Sequence, residues 1–180
     1  MVGIGRMHVL DHVMGLPDVP AGTPVYVGPG ENDRLEFSPS LHAGDDHRMI
    51  ESAGPLRVWP FEADPEGRFE GVVDVFGDGS LWALHVPGHT PGSTAFLVRT
   101  PTGSRLLVGD VSHTRWGWEN GVEPGTFSLD RPRSRESLKR LRELAQQFPQ
   151  LEIHLGHQSL GRARSMTRTS RKSVIPRESG

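Results

Sequence analysis

The sequence has no cysteine, and this absence limits the chemistry that its 180 residues can support. Disulfides and a thiolate nucleophile are excluded, so a transition-metal site must use histidine and carboxylate ligands. No apolar run approaches the roughly 20 residues that span a bilayer, and the first residues lack the apolar segment of a signal peptide. We therefore expect a cytoplasmic protein with no membrane partner.

Hydrophobic residues are also scarce, at 34%, whereas glycine and proline are frequent, with 22 and 15 residues. This composition favours short elements joined by turns over a bundle of long helices. Basic side chains crowd the end of the chain, where residues 161–180 hold six of them against one glutamate. We predict one domain over residues 1–160 and a basic, disordered tail over 161–180, for which nucleic-acid binding is the less favoured interpretation.

Hydrophobic alternation and glycine-rich turns predict two hairpins and two further strands. The predicted strands cover residues 24–27, 69–76, 80–88, 93–100, 104–110 and 151–157. The clearest helix is Ser134–Phe148, which has an apolar stripe at helical spacing and Ser134 as its expected N-cap. A short helix is expected near residues 45–52, and residues 111–133 show no clear period.

Three polar residues each lie at or directly after the end of one of these predicted strands. They are His89 in VPGHTPGS, Asp110 in LLVGD and His157 in LGHQ, each close to a glycine that permits a sharp turn. Side chains at strand ends can converge on one edge of a sheet, and two imidazoles with a carboxylate suit Zn²⁺. The adjacent Asp11 and His12 offer further metal ligands.

Taken in order, the segments DHVMG, VPGHTPGS, LLVGD and LGHQ resemble the metal-binding motifs of the metallo-β-lactamase superfamily. The resemblance covers residues 4–157 and implies an α+β fold, an αββα sandwich with one or two zinc ions between its sheets. It implies a zinc-dependent hydrolase that acts on an ester, thioester, lactone or related bond of a small-molecule substrate. Its implied metal ligands are His8, Asp11, His12, His89, Asp110 and His157.

Within that resemblance, Asp110 bridges two metal sites, and Asp11 and Asp110 are the implied catalytic residues. The first motif departs from the family pattern His-x-His-x-Asp-His, because Met7 and Val9 stand at its histidine positions. One inserted residue recovers His8 and leaves Arg6 at the other position. The strands that precede this motif in the family are not found, so we expect a sandwich incomplete at its N-terminal sheet, in a truncated or degenerate member.

This departure leaves an alternative function open, a catalytically impaired domain that binds a ligand or partner. A nucleic-acid nuclease of the same fold is a third interpretation. Among the other histidines, His113 follows Asp110 by three residues and could reach the substrate or fill a vacant coordination position. His85 and His154 lie inside predicted strands and are expected to be packed or half-exposed residues, not ligands. The sequence does not indicate an oligomeric state.

Overall fold

The computed structural model describes residues 4–5, 16–20, 22–31 and 56–162, whose strands form two sheets. The smaller sheet is parallel and contains β1 (Ile4–Gly5), β2 (Val25–Val27) and β3 (Leu56–Val58). The larger sheet contains, in spatial order, β4 (Val72–Asp74), β5 (Leu81–His85), β6 (Thr94–Thr100), β7 (Gly103–Gly109), β8 (Glu152–Leu155) and β9 (Ser159–Arg162). Its neighbours are antiparallel except for β7 and β8.

The parallel pair β7 and β8 requires a crossover connection, because parallel strands cannot be joined by a tight hairpin. The crossover contains two α-helices, α1 (Arg115–Asn120) and α2 (Arg131–Gln147). Short 3₁₀ turns cover Leu16–Asp18 and Gly125–Phe127. In the part of the chain that the structure describes, we find no helix with the length and apolar character needed to cross a membrane.

Helix α2 covers one face of the larger sheet. Leu84 of β5 and Leu106 of β7 are buried on this face, in one cluster with Leu138 and Leu141 of α2. Leu106, Leu138 and Leu141 are fully excluded from solvent. Burial of a side chain of this size contributes about 1.5–3 kcal/mol, so this interface is a main source of stability.

The opposite face of the larger sheet packs against the smaller sheet. Neighbouring strand residues point to opposite faces, and accordingly Ala83 and Phe96 belong to a second buried cluster with Trp59. Tyr26 of β2 stacks on Trp59 with ring centroids 4.6 Å apart, and Trp59 meets Phe96 edge-on at 6.0 Å. The described layers are therefore helix, sheet and sheet, as an α+β sandwich requires.

The strands and the long helix predicted from the sequence are confirmed, but one predicted cap is wrong. Asp130, not Ser134, is the N-cap of α2, and its carboxylate accepts a hydrogen bond from the backbone N–H of Arg133 at 3.0 Å. Pro132 is tolerated in the first turn, where its missing N–H costs no helical bond, so the helix begins earlier than predicted. Ser134 is buried inside the helix.

Four described elements were not predicted, the strands β1, β3 and β9 and the short helix α1. Strand β9 extends two residues into the segment that the sequence assigned to the tail. The rest of that segment and the helix expected near residues 45–52 lie outside the described residues, so the predicted division at residue 160 stays a prediction.

Candidate metal centre

The three polar residues predicted at strand ends lie together in the structure. The Nε2 atom of His89 lies 3.7 Å from Oδ2 of Asp110, and Nε2 of His157 lies 3.5 Å from the other carboxylate oxygen, Oδ1. The side chains of His89 and Asp110 are 3% and 4% exposed, whereas that of His157 is 47% exposed. One carboxylate thus lies between two imidazoles, in a site that is buried on one side and open on the other.

A fourth side chain, His113, belongs to the same cluster. Its Nε2 atom lies 3.9 Å from Oδ1 of Asp110. Its ring is nearly perpendicular to those of His157 and His89, with centroid separations of 4.7 and 5.5 Å. One ligand atom each from His89, Asp110 and His113 lies within 4.8 Å of the other two. The only signal for His113 in the sequence was its spacing from Asp110, and it was not among the predicted ligands.

The donor set of this cluster fits a divalent transition metal. Zn²⁺ binds imidazole nitrogen and carboxylate oxygen at about 2.0–2.2 Å, so two ligand atoms of one tetrahedral ion lie about 3.4 Å apart. The separations of 3.5, 3.7 and 3.9 Å around Asp110 exceed that value by only a few tenths of an ångström. Small side-chain movements would therefore bring these atoms to bonding distance of one or two ions.

The turn that carries His89, residues 87–93, is held by the segment that leads into α2. The backbone N–H groups of Leu129 and Asp130 donate to the carbonyl oxygens of His89 and Gly88 at 3.1 and 2.9 Å. The hydroxyl of Ser137 donates to the carbonyl oxygen of Pro87 at 2.7 Å. A Cβ on Gly88 would lie 2.1 Å from the backbone nitrogen of Ser134, so only glycine permits this approach.

The smaller sheet holds the same turn from its other side. The carboxylate of Glu31 is buried, and its Oε1 accepts a hydrogen bond from the backbone N–H of Gly92 at 2.9 Å. Gly28 also packs directly on Gly92, since a Cβ there would lie 1.8 Å from the carbonyl oxygen of Gly92. Sequence reasoning missed both contacts because they join residues about sixty positions apart.

The turn that carries His157, residues 155–158, is held by fewer contacts. The backbone N–H of Gly156 donates to the carbonyl oxygen of Gly109 at 3.0 Å. A Cβ on Gly156 would lie 2.2 Å from Oδ1 of Asp110, so the absence of a side chain lets the two turns meet. The side-chain oxygen of Gln158 accepts from the backbone N–H of Arg115 at 2.8 Å, which ties this turn to the start of α1.

An ion-pair cluster fixes the loop beside His113. Glu123 is buried, which by itself raises the pKa of its carboxyl, but the N–H of Gly125 and the guanidinium groups of Arg131 and Arg135 hold that pKa below its ordinary value. The loop includes Phe127, whose ring centroid lies 5.8 Å from that of His113. The ion pairs of Glu123 therefore hold the loop that places the ring of Phe127 beside the ring of His113.

Exposed apolar surface borders the open side of the cluster. Phe127 is 72% exposed and Trp116 is 64% exposed. Trp116 lines an open depression of about 790 Å³ together with Thr114, Arg115, Glu119 and Gln158. Two of these lining residues directly follow His113 and His157, so the depression adjoins the cluster.

Comparison with known proteins decides the family. The family model described as the metallo-beta-lactamase superfamily matches residues 10–157, more than half of the chain. The chain belongs to this superfamily. The N-acyl homoserine lactonase AttM of Agrobacterium fabrum is 31% identical over 133 residues, which are 72% of this chain and 49% of that protein.

Two solved structures share the fold of this chain. An N-acyl homoserine lactone hydrolase with N-hexanoyl-L-homoserine bound at its catalytic metal centre has a TM-score of 0.61 and 23% identity, over 85% of this chain and 54% of its own. AidC, a dizinc quorum-quenching lactonase, has a TM-score of 0.62 and 13% identity, over 86% of this chain and 56% of its own. The chain spans about half the length of the relatives that it matches.

The remaining predicted ligands of this metallo-beta-lactamase chain, His8, Asp11 and His12, lie outside the described residues, as do His42 and His47. The roles predicted for them stay predictions.

Two further histidines lie in strands, as predicted. His85 stacks on Phe61 with ring centroids 5.0 Å apart, and His154 lies 3.2 Å from the carboxylate of Glu152. Among the described residues, neither strand histidine belongs to the group of possible metal ligands that contains His89, Asp110 and His113.

Proposed function

We propose that this chain is a zinc-dependent hydrolase that opens a lactone or a related ester bond of a small molecule. The observation that carries the proposal is the buried carboxylate of Asp110 between His89 and His157, at 3.7 and 3.5 Å. Its two oxygens face different histidines, which suits a carboxylate that bridges two ions. The lactonase relatives supply the preference for a lactone over other carbonyl substrates.

The protein groups have distinct tasks in such a reaction. Bound zinc supplies a Lewis acid that polarises the substrate carbonyl and makes water nucleophilic near neutral pH. His89 would hold metal on the buried side and His157 on the exposed side, with the carboxylate of Asp110 between them. Hydrolysis joins the oxygen of water to the carbonyl carbon, breaks the ring C–O bond and passes a proton to the leaving oxygen. Asp11 is the predicted carrier of that proton.

The surroundings of the cluster support a substrate with an apolar substituent. Phe127 packs beside His113, and Trp116 lines the depression next to it. Both side chains are largely exposed, so an acyl chain on the lactone would remove their apolar surface from water. An unsubstituted lactone would lack that contribution to binding.

Hydrolysis of N-hexanoyl-L-homoserine lactone tests the proposal. The full chain, loaded with zinc, is expected to open this lactone, and the proton released by the acid that forms measures the rate. Removal of zinc by a chelator should abolish this proton release until zinc is restored. His89→Ala should abolish the activity, whereas His154→Ala, which replaces a histidine outside the cluster, should retain it. Zinc binding without turnover of any acyl homoserine lactone would contradict the proposal.

A second candidate is an impaired domain that binds a small ligand without hydrolysing it. The first motif favours this candidate, because Met7 and Val9 stand where the family has histidines. The two candidates differ in one result. An impaired domain would bind zinc and a lactone without forming product, whereas a hydrolase would release the ring-opened acid.

A further inference from the structure

We propose that His113 is a metal ligand that completes a three-donor site with His89 and Asp110. The inference rests on the proposed metal centre and goes beyond it, because it adds a ligand outside the four matching motifs. All three donors come from one stretch of 25 residues, from the turn after β5 to the residue before the N-cap of α1. Three protein ligands with one open position is the usual arrangement of a catalytic zinc site.

The distances support this assignment. One ligand atom from each of His89, Asp110 and His113 lies within 4.8 Å of the other two, and Nε2 of His113 lies 3.9 Å from Oδ1 of Asp110. Ligand atoms of one tetrahedral zinc lie about 3.4 Å apart, so Nε2 of His113 needs to move by only about half an ångström relative to Asp110.

The orientation of the imidazole rings points the same way. The ring of His113 is inclined by 73° to that of His89 and by 71° to that of His157. The ring of His113 thus approaches both neighbours edge to face, and the Nε2 atoms of all three histidines lie 3.5–3.9 Å from the carboxylate of Asp110.

The backbone on both sides holds His113 in this position. Val111 is buried in the core, and the N–H of Ser112 donates to the carbonyl oxygen of Gly109 at 3.4 Å. On the other side, Thr114 is the N-cap of α1, and its hydroxyl accepts from the N–H of Gly117 at 3.1 Å. His113 therefore lies between a tight turn and a helix cap, which limits its freedom and lowers the entropic cost of binding a metal.

A cysteine placed at position 113 gives the sharpest test. The chain contains no cysteine, so His113→Cys would introduce a single thiol. A thiolate bonded to Co²⁺ gives a near-ultraviolet charge-transfer band, which neither the unsubstituted chain nor a non-ligating cysteine can give. We expect this band on Co²⁺ addition to His113→Cys and not to the control His154→Cys. A folded His113→Cys variant that binds Co²⁺ without the band would overturn the proposal.

A second measurement covers the case in which the cysteine variant does not fold. Co²⁺ titration of the full chain should show at least about tenfold weaker binding and an altered visible spectrum for His113→Ala, and no change for His154→Ala. An unchanged affinity and spectrum in His113→Ala, with slower turnover alone, would mean that His113 contacts substrate and would overturn the assignment. If the unsubstituted chain binds no Co²⁺, the proposed metal centre fails as well.

Discussion

The turn at His89 and the turn at His157 bring the same kind of side chain to the same carboxylate, but they are built differently. The first is held by Glu31, by the segment before α2 and by Ser137, and its histidine is almost fully buried. The second has a half-exposed histidine and, within the described residues, fewer supporting hydrogen bonds.

The turn at His89 is therefore the fixed half of the site, and the turn at His157 is the adaptable half. A ligand whose turn is fixed on two sides loses little freedom when a metal binds, whereas an exposed ligand must be ordered at that moment. The His89 side should therefore contribute most of the metal affinity. The His157 side is open to solvent and is the side from which a substrate can approach.

The largest expected effect follows from removing the histidine of each turn. His89→Ala should weaken zinc binding by more than about 100-fold, and His157→Ala should weaken it by about tenfold, because the second ligand is exposed and less ordered. Competition with a zinc-binding dye would measure both constants. Equal losses, or a larger loss for His157→Ala, would contradict the division into a fixed and an adaptable half.

The next effect concerns the packing of the smaller sheet against the turn at His89. Gly28→Ala should lower the free energy of unfolding by about 2–3 kcal/mol, because the new Cβ would lie 1.8 Å from a backbone oxygen that cannot yield without moving the turn. Gly67→Ala is the control, since its new Cβ would meet no atom within 4 Å. The positive φ of Gly67 makes this substitution cost about 1 kcal/mol. Denaturant melts compare the two, and equal losses would refute the close-packing argument.

A smaller effect is expected from Glu31, whose carboxylate supports the turn at His89. Glu31→Ala removes the acceptor for the N–H of Gly92 and should weaken zinc binding by about tenfold, the lower range for residues that orient a ligand. Glu31→Gln keeps an acceptor oxygen and should recover most of the affinity. If both variants lose the same affinity while remaining folded, the hydrogen bond to Gly92 does not position His89.

The smallest effect concerns the ion-pair cluster at Glu123. The pKa of this carboxyl is lower in the folded chain than in the unfolded chain, so its contribution to stability is present above the unfolded pKa and is lost as the pH falls through the folded pKa. Glu123→Gln should cost about 1 kcal/mol at neutral pH and less below about pH 4. Urea melts at the two pH values test this, and a cost that does not change with pH would contradict it.

Local sequence signals predicted six of the nine described strands, both hairpins, the helix α2 and the residues at the strand ends. These features depend on alternation, glycine turns and helical spacing, which are all readable over a few residues. Helix α1 was missed because its six residues are too few to establish a helical period. Strand β9 was missed because Ser159–Arg162 has a polar sequence typical of an edge or a loop.

The candidate site was predicted less completely than the fold. His89, Asp110 and His157 were found because each follows a strand and matches a family motif. His113 matches none of those motifs, and its place in the cluster depends on how residues 110–114 turn, which the sequence does not specify. The support from Glu31 is a contact between distant segments, so no local pattern could indicate it.

Crystals of the full chain soaked in zinc, with anomalous diffraction recorded at the zinc absorption edge, test the metal centre most directly. We expect an anomalous peak about 2.0–2.2 Å from Nε2 of His89 and from a carboxylate oxygen of Asp110. Zinc-saturated crystals with no peak at bonding distance from Asp110 would contradict it.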